Sequence, residues 1–294
     1  GCRTPSLPMG LLFAECDVTV AVVGVAAFGA THLFIAGVCG SSGHTPTGEE
    51  RRNHAHVLGH QAASLLAVSI LGIVGALYWY LWMGDMHSQV AGFTSSSERF
   101  LVSFPPSVFI GEVNVAFQVY DFMATALVPK LRSPIMLAHH VMAGSLAALT
   151  CYPRAFGIDA SSLSNYDLMF FFGVTELSTV PLAVHDALKL LPLHLKTYPS
   201  LNLLNEVCKP LFAFIFLAVR CVHWPFVMGA FGSMHLDMFL SDAPTKPVHA
   251  FYIVMSSAMT VLQYFWGFKI VTILISVAMG SSGSDKKNHA KKSE

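Results

Sequence analysis

Residues 18–39 read VTVAVVGVAAFGATHLFIAGVC, a stretch without a single Asp, Glu, Lys or Arg. About 20 apolar residues in a helix cross the hydrocarbon core of a bilayer, so this segment is long enough to do so. It is too long for the apolar core of a signal peptide, and no basic run precedes it, so it reads as a span. Further stretches of the same kind follow at residues 57–82, 107–128, 134–152, 166–190, 210–231 and 248–278. Loops rich in Gly, Pro and Ser separate them, such as SSGHTPTGEE and TSSSE. The expected fold is therefore all-α, a polytopic transmembrane bundle of about seven spans.

Composition supports the same class. The chain has 294 residues, 54% hydrophobic and 12% charged, with a mean hydropathy of +0.58. Soluble domains carry about 25% charged residues, which a lipid-facing surface does not need. Seventeen basic residues balance seventeen acidic ones, which argues against a broad nucleic-acid surface. The six cysteines, Cys2, Cys16, Cys39, Cys151, Cys208 and Cys221, lack C-x-x-C spacing and suggest neither a disulfide framework nor a metal site. The expected organisation is a lumenal N-terminus with the first span (1–45), a membrane domain (46–280) and a basic cytosolic tail (281–294).

Loop charges set the expected direction. One side collects Arg51, Arg52, Lys130, Arg132, Lys189, Lys196, Lys209, Lys286, Lys287, Lys291 and Lys292, and the other only Arg3, Arg99, Arg154 and Lys246. The first side is expected to be cytosolic and to hold the C-terminus. Lys291 and Lys292 stand fourth and third from the end, the placement of a dilysine retrieval signal of the endoplasmic reticulum. A plain solvated basic tail is the alternative.

Ionisable groups in hydrocarbon are costly unless paired, so each marks a candidate site. Asn114, Gln118 and Asp121 follow i, i+4, i+7 spacing and share one face of the third span. The fourth span has His139 and His140. The fifth has Glu176, Ser178, Thr179, His185 and Asp186, with Pro181 expected to kink it. The sixth has Arg220 and the seventh Gln263 and Lys269. Depth along the spans places His139, His140 and Asp121 in the cytosolic half, so a polar cavity opening that way is expected. Plainer readings stand beside this one. Glu176 and Arg220 could form a structural ion pair, Asp121, Gln118 and Gln263 could join helices, and Lys269 could snorkel.

Several segments in order carry a family resemblance. They are RRNHAHVLGH, VYD, LAHH, TELSTVPL, LFAFIFLAVR and LQYFW, spread over roughly residues 50–275. The chain resembles the TLC-domain family, which includes the ceramide synthases. It is closer to the branch that carries E-L-S-T, whose members are tied to membrane-lipid composition. Ceramide synthases have an H-D-x-x-D run just before the matching Glu, where this chain has Leu168, Met169 and Phe172. The resemblance implies a role in membrane-lipid homeostasis, or alternatively an acyl-CoA-dependent N-acyltransferase. His139, His140, Glu176 and Asp121 would be its catalytic residues. Asn114, Gln118, Ser178, Thr179, Arg220 and Gln263 would line the lipid cavity.

The expected partners are membrane lipids, acyl-CoA as co-substrate if transfer occurs, and a second copy of the chain. No resident cofactor or metal is implied. A di-iron desaturase or hydroxylase is suggested only by His56 and His60, and such sites need several histidine boxes. This sequence has no H-x-x-H-H run.

Overall fold

The computed structural model describes residues 18–41, 48–102, 104–160, 162–241 and 245–279. Lys291 and Lys292 lie outside the described residues. Every regular element among those described is helical. Ten helices and two short 3-10 turns, Pro129–Leu131 and Pro153–Phe156, account for them: α1 (Val18–Ser41), α2 (48–82), α3 (Gly84–Ala91), α4 (Ser96–Leu101), α5 (Pro105–Leu127), α6 (Pro134–Cys151), α7 (Asn165–Lys189), α8 (Pro192–Thr197), α9 (Pro199–Leu240) and α10 (Lys246–Ala278).

Helix starts follow local chemistry. Proline opens α5, α6, α8 and α9, where its missing N–H costs nothing. Ser133 caps α6 by accepting from the Met136 N–H. Ser95 and Glu98 form a reciprocal capping box on α4. Two backbone N–H groups, of Thr94 and Ser95, hold the Glu98 carboxyl below its ordinary value of 4.5.

Six helices are long and apolar enough to cross a membrane: α1, α2, α6, α7, α9 and α10. The remaining long helix, α5, has 23 residues and completes the seven spans expected from the sequence. Its polar residues dilute its hydropathy, and the fold pays for them by enclosure: Glu112, Asn114, Gln118 and Asp121 are all buried. Large apolar side chains instead face outward on the surrounding helices, among them Phe34, Phe226 and Phe268, each about 70% exposed. In water that surface would be a liability, and in lipid it is the expected exterior.

One span differs from expectation in length. The sequence suggested 210–231, whereas α9 runs unbroken over 42 residues. At 1.5 Å per residue it is about 63 Å long, roughly twice the hydrocarbon thickness. Its first turns carry Asn202, Asn205, Glu206 and Lys209, so low hydropathy hid a helix that continues beyond the apolar core.

Three of the long helices are irregular inside. In α2, π turns occupy Ile70–Val74 and Tyr78–Trp82. In α7, a π turn at Met169–Gly173 gives way to a 3-10 turn at Val174–Ser178. In α9, a π turn covers Leu217–His223. The distortion in α7 lies before Pro181, which itself sits in a regular helix. Here α2 and α7 nearly touch: a Cβ on Gly75 would overlap the backbone of Gly173. Small residues permit such approach between membrane helices.

Candidate functional site

The route through the bundle can be followed along single faces of five helices. On α6, Met136, His139, Ala143, Leu146 and Thr150 succeed one another at helical spacing. On α10 the series is Ile273, Trp266, Gln263, Met259, Ser256 and Tyr252. Matching faces of α5, α7 and α9 continue the walls, with α2 added at one end. Together they enclose two chambers.

The chamber toward the basic end of the bundle has an empty volume of about 1210 Å³, part of it open to the surroundings. Its lining includes His60, Gln61 and Ser64 of α2, with Asp121, His140, Asp186 and Lys269. The far chamber has an empty volume of about 650 Å³, likewise in part open to the surroundings. Its mid-section is apolar: Ala143, Leu146, Leu168, Phe171, Phe172, Trp224, Phe231 and Met259. Gln118, His139, Glu176 and Arg220 line both chambers and form a waist between them.

Arg220 is the most heavily bonded group of the waist. Its Nε donates to the Thr175 carbonyl at 3.0 Å and to Ser178 Oγ at 3.1 Å. Nη1 donates to Gln263 Oε1 at 3.2 Å. Nη2 donates to Glu176 Oε1 at 3.1 Å and Thr179 Oγ1 at 3.2 Å. A buried guanidinium is tolerated when charge and hydrogen bonds are both met, and here both are. The T-E-L-S-T run thus has a physical reading: residues 175, 176, 178 and 179 wrap one guanidinium. The 3-10 turn brings the Thr175 carbonyl to it, consistent with the habit of irregular turns to collect at working sites.

The adjacent histidines play unlike parts. His140 is buried, with a hydrogen bond at one ring nitrogen and a carboxylate close to the other. Nδ1 meets Gln118 Oε1 at 2.8 Å, and Nε2 lies 3.3 Å from Asp121 Oδ2. Gln118 Nε2 donates to Asn114 Oδ1, so Gln118 Oε1 accepts and His140 Nδ1 carries the proton. On the other side of Asp121, His60 Nε2 lies 3.4 Å from Oδ1. His139, one residue away, has a buried Nδ1 without a hydrogen-bond partner. Its ring meets Trp266 edge-on at 5.5 Å.

The structure brings together all four expected catalytic residues, His139, His140, Glu176 and Asp121, around the basic-end chamber. Asn114, Gln118, Thr179, Arg220 and Gln263 line one chamber or both. Ser178 is buried behind Arg220 and lines neither. Lys269 lines the basic-end chamber, its Nζ 4.2 Å from the centre of the Phe265 ring. His185 serves a helix contact, bonding Asn205 at 2.7 Å. Leu168 and Phe172, two of the places compared above with the H-D-x-x-D run, line the far chamber.

These connections make one unit of the scattered segments quoted above. RRNHAHVLGH supplies His60, VYD supplies Asp121, and LAHH supplies the histidine pair. TELST and the Arg ending LFAFIFLAVR supply the ion pair, and LQYFW supplies Gln263 and Trp266. A family model described as the TLC domain matches residues 58–272. The chain belongs to the TLC-domain family. The match begins after α1, and α1 lines neither chamber of this TLC-domain protein. Comparison with curated proteins and with solved structures returns no match.

Sequence reasoning missed His32. Its Nδ1 bonds Tyr120 OH at 2.9 Å and its Nε2 bonds His56 Nδ1 at 3.1 Å. A lone His in an apolar span was the available signal. His56 and His60 therefore face different partners, and no group of three or more His, Cys, Asp or Glu among the described residues is arranged to hold a metal ion. The polar far end of the inner chamber was missed too. There Asp167 is paired with Arg99 at 2.5 Å, and Thr150 Oγ1 with Tyr252 OH at 2.7 Å.

Proposed function

We propose that this TLC-domain protein holds a single-chain amphiphile across the waist and acts in membrane-lipid homeostasis at the endoplasmic reticulum. The observation that carries the reading is the meeting of two chambers of unlike lining at Gln118, His139, Glu176 and Arg220. Small-molecule sites are mostly apolar with a few placed polar groups, and the far chamber with its waist fits that description. The apolar walls suit a hydrocarbon chain, and the waist suits the head group.

Two measurements test this. Lipids extracted from the purified protein should contain a single-chain species near one per chain, and a bulk-membrane lipid profile would refute the reading. Removing Lys291 and Lys292 should shift the protein out of the reticulum.

A second reading is acyl transfer from acyl-CoA to an amine, favoured by the bare Nδ1 of His139. His139 would take a proton from the amine as its nitrogen bonds to the thioester carbonyl carbon. The carbon–sulfur bond would then break, and the departing thiolate would collect that proton. Labelled acyl-CoA with a panel of amines separates the readings. Product that survives His139→Ala would remove this mechanism.

A further inference from the structure

The far chamber is balanced in charge, and this constrains what it can hold. The charged side chains of its lining are Asp167, Glu176 and Arg220. Asp167 is bound by Arg99 from α4, and Glu176 by Arg220. Neither pair leaves surplus charge for a ligand. A carboxylate or ammonium head group drawn inside would be desolvated with no counter-ion, a costly arrangement in a low-dielectric site.

The remaining hydrogen-bonding capacity is small and specific. Thr150, Ser164, Thr175, Trp224, Tyr252 and Ser256 each have a partner within the protein. Of the buried side-chain polar atoms lining the chamber, two have none: Asn114 Nδ2 and His139 Nδ1. Asn114 is only 1% exposed, and its Oδ1 already accepts from Gln118. An unpaired buried amide N–H₂ is costly unless something fills the site. The group that satisfies it is an acceptor oxygen without charge.

We infer that the far chamber selects a single-chain lipid with an uncharged oxygen head group, an alcohol or a carbonyl, whose oxygen accepts from Asn114 Nδ2 while its chain lies against Phe171, Phe172 and Met259. His139 Nδ1 stands free as the second partner, able to accept from a hydroxyl. This inference rests on the lipid-cavity reading above and adds the class of head group.

The test compares three tritiated probes with the same 18-carbon mono-unsaturated chain: the alcohol, the fatty acid and the amine. Each is titrated at pH 7.4 against the full chain in nanodiscs, with partition into empty nanodiscs subtracted. The alcohol should bind saturably near one per chain, at least tenfold more tightly than the acid or the amine. Asn114→Leu should weaken the alcohol about tenfold and leave the other two unchanged. The ranking on the unaltered protein stands even if that variant does not fold. Equal or tighter binding of acid or amine would overturn the inference and leave the lipid cavity in place. An Asn114→Leu variant that folds and binds the alcohol unchanged would also overturn it, since Asn114 would then hold only water. Saturable binding of none of the three would remove the cavity reading itself.

Discussion

The two chambers share five helices and differ in how their polar groups are used. In the far chamber nearly every polar side chain is bonded within the protein, leaving Asn114 Nδ2 and His139 Nδ1. In the basic-end chamber His60 and His140 each lie 3.3–3.4 Å from Asp121. Lys269 meets a ring there rather than a carboxylate. The far chamber is thus finished as a binding surface, whereas the basic-end chamber gathers titratable groups around Asp121. The waist belongs to both, and substitutions there should separate structural from ligand-directed roles.

The largest effect is expected at Arg220. Arg220→Met leaves Glu176 buried without its partner and should cost about 3–5 kcal/mol of stability. Adding Glu176→Gln should recover much of that loss in detergent unfolding measurements. A double variant as unstable as the single one would break the proposed pairing. Next comes the approach of α2 to α7. Gly75→Ala in an ordinary helix would stabilise, by up to about 1 kcal/mol. Here the new Cβ meets the Gly173 backbone, so a loss of about 1–3 kcal/mol is expected.

The histidine pair sharpens the comparison between chambers. His140→Ala removes the bond to Gln118 and the close approach to Asp121 and should cost about 1–3 kcal/mol. His139→Ala should change stability by less than about 1 kcal/mol and act instead on lipid retention. Similar stability losses for the two would dissolve the distinction. A further effect of similar size lies outside the bundle. Ser95→Ala should cost about 1 kcal/mol through loss of the α4 cap. The folded Glu98 carboxyl titrates below 4.5, so its contribution is present above that pH. It should fade as pH falls through the lower, folded value, and Glu98→Gln should flatten the acid limb of the stability profile.

Much of this arrangement was legible in the sequence because membrane helices leave few polar residues to interpret. The spans follow from uncharged length. The grouping of Asp121, His139 and His140 followed from their depth along those spans, and the pairing of Glu176 with Arg220 was among the readings open. What could not be read depends on neighbours brought together by packing. The i, i+1 spacing of His139 and His140 does not say that Gln118 and Asp121 would claim only one of them. His32 had no sequence partner to mark it. The continuation of α9 from Pro199 to Leu240 was hidden because a hydropathy profile stops where the helix leaves apolar surroundings. The π and 3-10 turns in α7 reflect its approach to Gly75 and Arg220, which lie far away along the chain.

The most direct test of the waist and its two chambers is photo-crosslinking with a single-chain lipid bearing a mid-chain diazirine, followed by peptide mapping. Adducts are expected on the peptides of Phe171, Phe172, Trp224, Phe231 and Met259, and should fade when Ala143→Phe fills the far chamber. Adducts confined to outward-facing positions such as Phe226 and Phe268, unaffected by Ala143→Phe, would contradict a lipid held inside the bundle.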